Sequence, residues 1–179
     1  KFCFQPTERM ETSVTKFTKR NMLIKVAQIF DVFGFYSSFT IRGKIIVQQF
    51  WNLHKKWDEP LEGDIVDEFK SWEKEIPELK EIEIPRRLKL FNGSYSKVEA
   101  HGFGDASQIA YGGIIFFRFT LPDGSVHVEF VMGKARVAPK ATKSLARLEL
   151  LAALLTAKLM NYVLEAFEHI RIEDITLRT

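Results

Sequence analysis

Residues 98–179 carry the pattern that most constrains this chain: three β-rich runs joined by short turns, then one long helical run, then a final strand. Val98 to Asp105 is a short strand ending in Gly104-Asp105-Ala106-Ser107. Ala110 to Thr120 follows with Ile114, Ile115, Phe116, Phe117 and Phe119. Leu121-Pro122-Asp123-Gly124 is a turn signal, and His127 to Val137 returns. Pro139 closes this antiparallel meander. A helix is predicted from about Thr142 to Glu168, with Leu145, Leu148, Ala152, Leu155, Leu159, Tyr162 and Phe167 on one face. The segment Ile170 to Thr179 is then a strand reached through a helix. Such a crossover places it parallel to an earlier strand, here the one starting at Val98, and gives a mixed sheet with a packed helix.

The first 90 residues read as helices. Thr18 caps a helix bearing Met22, Leu23, Val26, Ile29 and Phe30, with Gly34 past its end. A second helix from about Thr40 carries Ile41, Ile45, Phe50, Leu53 and Trp57 before Pro60. A third, capped near Asp64, carries Ile65, Phe69, Trp72 and Ile76 before Pro77. At this spacing Trp51, Trp57 and Trp72 are expected in the core, with stacking on bases as the alternative. The turn Asn92-Gly93-Ser94 marks the boundary, so the expected domains are 1–92, helical, and 93–179, sheet with helix: an α+β or α/β chain.

Of the 179 residues, 46% are hydrophobic and 27% charged, enough for an ordinary core. The longest uncharged run, Ala106 to Phe117, falls short of the roughly 20 residues of a membrane-spanning helix. The single cysteine, Cys3, forms no internal disulfide, which with no signal peptide suggests a reducing, intracellular setting. A start at Lys1 suggests a piece of a longer polypeptide. Asp58 to Glu83 holds eleven acids and three lysines, so the remaining residues are strongly basic although the whole chain is only +3. Two stretches lack acids: Thr12 to Phe30, with Lys16, Lys19, Arg20 and Lys25, and Val131 to Leu148, with Lys134, Arg136, Lys140, Lys143 and Arg147. Such fields attract polyanions, nucleic acid first among them, unless they are solvated faces that balance the acidic segment.

Gly102-Phe103-Gly104 is not a dinucleotide fingerprint, because Ser107 replaces its third glycine and a strand follows. The scattered His54, His101, His127 and His169 give no zinc spacing, and no nucleophile elbow is present. Two acids stand out. Asp105 ends a strand, either as a turn residue bonding its own backbone or as a functional carboxylate. Glu149 lies four residues after Leu145 and three before Ala152, on the apolar side of the long helix. It is either an edge glutamate paired with an arginine or an inward carboxylate that reaches the first strand's end. Converging carboxylates call for a divalent cation, and hard oxygen ligands suit Mg²⁺.

The runs His101-Gly102-Phe103-Gly104-Asp105-Ala106-Ser107, Ala110-Tyr111-Gly112, Lys134-Ala135-Arg136-Val137-Ala138-Pro139 and Arg147-Leu148-Glu149-Leu150 resemble the reverse transcriptase to ribonuclease H region of BEL/Pao LTR retrotransposons. Upstream, Thr18-Lys19-Arg20, Ile29-Phe30-Asp31-Val32-Phe33-Gly34, Thr40-Ile41-Arg42-Gly43-Lys44 and Trp57-Asp58-Glu59-Pro60-Leu61 resemble it in order and spacing. The resemblance implies that residues 1–92 are thumb and connection-like helices, and that 93–179 begin an RNase H-like domain. Asp105 and Glu149 would then be its first two catalytic, Mg²⁺-binding acids. The third acid is expected directly after the strand ending at Thr179, and a fourth further on. Lys19, Arg20, Lys134, Arg136, Lys140, Lys143 and Arg147 would contact nucleic acid. Implied partners are an RNA/DNA hybrid and the rest of the Pol polyprotein, with no membrane, in a cytoplasmic virus-like particle. Departures from the family pattern, among them Val32, Gly104 and Ala146, keep open a domesticated, noncatalytic scaffold. No Asp-Thr-Gly or Asp-Ser-Gly is present, so the chain lacks an aspartic peptidase site.

Overall fold

A computed structural model describes residues 2–5, 12–85, 95–140 and 144–179. The expected boundary at residue 92, the Asn92-Gly93-Ser94 turn, the helix start at Thr142 and Lys143 lie outside the described residues. The chain divides into two compact units, one made of residues 1–31 and 38–86, the other of residues 32–37 and 87–179.

The first unit is helical. Its first helix, α1 (Lys19–Ala27), starts where predicted: extended Thr18 accepts the Asn21 N–H at 3.2 Å, satisfying one orphan donor of the first turn. Helix α2 (Ser37–Gln49) passes into a 3₁₀ turn at Phe50–Asn52, and α3 (Asp64–Lys74) follows, with Asp64 and Asp67 at its positive end. A two-residue ladder, β1 (Phe2–Cys3) with β2 (Glu83–Ile84), joins the unit's ends. Gly43 lets α2 approach α3 closely, since a Cβ there would stand 2.7 Å from the Trp72 ring. Trp72 is the core anchor. It is 1% exposed, stacks on Phe39 with centroids 5.1 Å apart, and donates its indole N–H to the Phe39 carbonyl at 3.1 Å. The other two tryptophans depart from expectation. Because α2 ends at Gln49, Trp51 and Trp57 fall outside it and are 60% and 44% exposed.

A buried ion pair also holds this unit. Lys25 and Glu73, with side chains 4% and 8% exposed, meet at 3.2 Å; the ammonium donates to the Thr12 carbonyl, and the Val14 N–H donates to the carboxylate. Buried charges need such complete pairing, and removing one partner strands the other.

The second unit is the predicted meander and crossover. Strands β3 (Lys97–Ala106), β4 (Ala110–Thr120) and β5 (Val126–Val137) are antiparallel neighbours; helix α4 (Leu145–Ala166) leads to β6 (Asp174–Arg178), which pairs parallel to β3. The order β5-β4-β3-β6 makes β3 an inner strand, as expected for the strand carrying Asp105. Alternate residues of β4, including Tyr111, Ile115, Phe117 and Phe119, are buried beneath α4 with Val98 and Ala100. The helix stripe follows the sequence expectation at Leu148, Ala152, Leu155 and Leu159 and departs from it at Leu145 and Tyr162. Leu148, Ala152, Leu155, Thr156, Leu159, Met160 and Val163 point inward, whereas Leu145 and Tyr162 are 49% and 58% exposed. With 3.6 residues per turn, the choice of Val163 for the core turns its neighbour Tyr162 to solvent.

The segment Val32–Ser37 belongs to this unit and covers part of the outer edge of β5. The Gly133 N–H donates to the Phe33 carbonyl at 2.8 Å, and Phe35 packs on Phe130. Gly34 has φ +81°, and a Cβ there would stand 2.0 Å from the Gly133 oxygen, so no larger residue fits. Covering an edge in this way blocks stray strand pairing.

For the helical unit we expect Glu73→Ala to cost about 3–5 kcal/mol in denaturant unfolding, because it leaves the Lys25 charge buried and unpaired. Replacing both, Lys25→Met with Glu73→Leu, is expected to cost clearly less than the single change.

Candidate active site

Asp105 sits at the last full step of β3, opposite Gly112 of β4, and is exposed. Its Oδ1 accepts the N–H of Ala106 at 2.8 Å. Ser107 shapes the hairpin beyond it: its hydroxyl donates to the Ala110 carbonyl at 3.1 Å and accepts from the N–H of Ala110 at 3.2 Å. Ser107 is a turn residue. The strand can therefore end sharply, leaving the carboxylate at the end of the sheet.

Glu149 is placed by a different device, a patch of small residues under α4. A Cβ on Gly104 or Gly113 would stand 2.5 or 2.4 Å from Thr156 Oγ1, and one on Gly102 2.9 Å from Thr156 Cγ2. Gly104 also faces the Ala152 carbonyl, 3.1 Å from such a Cβ. The Thr156 hydroxyl is buried and donates to that same carbonyl at 2.9 Å, so its polarity is satisfied within the helix. These contacts fix the direction of packing. Val163 and Leu159 belong to the core cluster with Val98, Thr156 lies over Gly102 and Gly104, and Ala152 lies at Gly104. The helix thus runs opposite to β3, and its second turn, with half-buried Glu149, comes to the sheet end that carries Asp105.

Strand alternation adds a refinement that the sequence reading lacked. Gly104 faces α4, so Asp105 is directed to the other face of the sheet. The two carboxylates share an end of the sheet but approach it from opposite faces, so a group bound by both would sit beyond the sheet end. Two hard oxygen donors fit the share of ligands that proteins usually give Mg²⁺, water and substrate supplying the rest. Among the described residues, no group of three or more His, Cys, Asp and Glu side chains is placed to hold a metal ion.

The basic candidates divide. Lys134 pairs with Gly113 and Arg136 with Tyr111, so both lie on the α4 face of β5, at the end where Glu149 enters, and both are exposed. Arg147, near the start of α4, and Lys140 are also exposed. The two candidates of the helical unit are occupied otherwise. Lys19 is 8% exposed and donates its ammonium to the Leu53 carbonyl at 2.9 Å; Arg20 forms a two-pronged pair with Asp58 at 2.7 and 3.1 Å. Of the basic stretch from Thr12 to Phe30, Lys19 and Lys25 are therefore buried and serve the fold, Lys25 against Glu73, while Lys16 and Arg20 are exposed.

A comparison with protein families matches residues 18–179 to the Pao retrotransposon-like RNaseH-like domain. The chain belongs to that family. The mixed sheet with its crossover helix is the RNase H-like α+β fold, and the match extends over the helical residues from Thr18 as well. No curated protein matches the chain. Among the described residues, no helix is long and apolar enough to cross a membrane.

The residues that sequence reasoning missed are Thr156, Gly113 and Gly102. A usable signal was present: a lone threonine in the apolar stripe of the helix, with two glycines in a β-rich run. We expect Gly113→Ala to destabilise the second unit by about 1–3 kcal/mol through overpacking. Thr156→Ala is expected to restore part of that loss in a double-mutant cycle, because it removes the closest atom but not the helix backbone. Additive effects would show that Thr156 is not the contact.

Proposed function

We propose that this chain is a segment of a retrotransposon reverse transcriptase and ribonuclease H polyprotein, whose intact form cleaves the RNA strand of RNA/DNA hybrids with Mg²⁺. In this reading residues 1–92 are a thumb and connection-like region and residues 93–179 the N-terminal part of the nuclease domain. The observation that carries it is the glycine-lined seat of α4, which brings Glu149 to the sheet end where Asp105 stands. Family membership supports the same assignment.

Asp105 and Glu149 would hold the Mg²⁺, which when bound lowers the pKa of water and stabilises charge on the leaving oxygen. The protein's own share is placement. Asp105 is held at the strand end by its bond to the Ala106 N–H, and Glu149 by a helix that cannot slide without driving Thr156 into Gly104 or Gly113. Lys134, Arg136, Lys140 and Arg147 would attract the phosphate backbone without reading its sequence.

The register between β3 and β6 supports the expected position of a third acid. Phe103 pairs with Arg178, so Thr179 falls beside Gly104 and the residue after it beside Asp105. An acid immediately after Thr179 in a longer chain would join the pair on the neighbouring strand. We expect the 179-residue chain to bind hybrid weakly, losing affinity steeply with salt, and not to cleave it. A chain extended through that position and the rest of the domain is expected to cleave with Mg²⁺, and Asp105→Asn or Glu149→Gln to abolish its activity. Cleavage of a labelled hybrid measures this. Strong cleavage by the short chain would mean that the site lies elsewhere. An inactive, folded extended chain would favour the noncatalytic scaffold.

A further inference from the structure

The two edges of the second unit's sheet are treated differently. The outer edge of β5 is covered in part by Val32–Ser37. The other edge is β6 (Asp174–Arg178), which pairs with β3 on one side only. Helix α4 is seated over Gly102, Gly104 and Gly113, on β3 and β4, and leaves this last strand largely open. Ile175 and Leu177 share the α4 face with their β3 neighbours Ala100 and Gly102, yet are 52% and 45% exposed. Asp174 and Arg178, on the opposite face, are exposed as well. The strand carries no proline or lysine of the kind that discourages edge pairing.

Its sequence, Asp-Ile-Thr-Leu-Arg, is complementary to itself. In an antiparallel pair of two β6 strands related by a two-fold axis through Thr176, Asp174 stands opposite the partner's Arg178 and Ile175 opposite the partner's Leu177. The axis makes each match occur twice, and Thr176 meets its own equivalent. Every pair joins residues of one face, so charges meet charges and apolar groups meet apolar groups. Moving the axis to Ile175 or Leu177 loses all of these matches. The charged groups are already held on their face: Lys97 Nζ lies 2.5 Å from Asp174 Oδ2, and the Arg178 guanidinium lies 6.0 Å from the Phe103 ring centroid. A carboxylate accepts from several donors, so Asp174 can keep Lys97 and take an arginine. We propose that β6 is a homodimerisation edge, which joins the sheets of two copies of this chain into one. The two α4 helices then lie on the same face roughly 19 Å apart, wider than a helix diameter, and do not collide. A five-residue ladder is a small contact, so the dimer is weak and its population follows concentration. The contact uses neither Asp105 nor Glu149 and stands apart from the nuclease reading.

Sedimentation velocity of the whole chain over roughly a hundredfold range of concentration tests this, with a monomer–dimer equilibrium expected. Asp174→Arg and Arg178→Asp each set like charges opposite one another at both ends of the pair and should weaken the dimer about tenfold. Mixed in equal amounts, the two variants complement each other and should form a heterodimer, read as energy transfer between differently labelled chains. A folding defect does not produce that recovery, and circular dichroism checks each variant. Thr176→Cys in a Cys3→Ser background puts a thiol on the two-fold axis and should oxidise to a covalent dimer, a readout that does not depend on the charge variants. Asp105→Asn should leave association unchanged. A chain that stays monomeric throughout, a dimer that both folded charge variants retain, a mixture of them that does not recover association, or no covalent dimer from Thr176→Cys would overturn the proposal.

Discussion

The second unit depends on how closely α4 can approach its sheet. Gly102, Gly104 and Gly113 clear a shallow seat on β3 and β4, and Thr156 fills it. Side chains of ordinary size there would hold the helix away and leave voids in a core that otherwise packs without them. The same seat fixes the helix along its axis, because Ala152 meets Gly104 and Thr156 sits among Gly102, Gly104 and Gly113. Packing thereby becomes a positioning device. The helix cannot bury its stripe without delivering Glu149 to the end of β3.

The distribution of cations follows from the cost of burying charge. In the helical unit Lys25 is inside and completely paired, while Lys19 and Arg20 hold a loop in place. An ammonium leaves water only where such partners compensate it, so Lys25 and Lys19 are committed to structure, whereas Arg20 makes its pair with Asp58 at the surface. Lys134, Arg136, Lys140 and Arg147 are exposed on the second unit, where we propose that they attract a polyanion. Sequence charge counts treat the two groups alike; the fold separates them.

Much of the architecture was legible because local rules and tertiary structure agree. β-rich composition marked Ala110–Thr120 to the residue, Leu121-Pro122-Asp123-Gly124 supplied a turn whose Gly124 has φ +84°, and the helix crossover implied the parallel pairing of β6 with β3. What was not legible depends on phase and on distant contacts. Apolar spacing alone continues α2 past Gln49 and buries Trp57, whereas the chain turns at Phe50 and the loop is tied back to residues 17–20. Helix phase at Tyr162 was decided by which neighbours fit the sheet. Asp105 and Glu149 were singled out as candidates by residue type and position. The face toward which Asp105 points was not, because it depends on which glycines the helix chose to cover.

We propose that the end of β3 and the start of α4 form one cation site, approached from two faces of the sheet. Paramagnetic broadening of backbone amide signals by Mn²⁺, as a stand-in for Mg²⁺, tests it most directly. Residues flanking Asp105 and residues flanking Glu149 should broaden together at low Mn²⁺, and either Asp105→Asn or Glu149→Gln should relieve the broadening at both places. Broadening confined to one of the two, or unaffected by either substitution, would contradict the account.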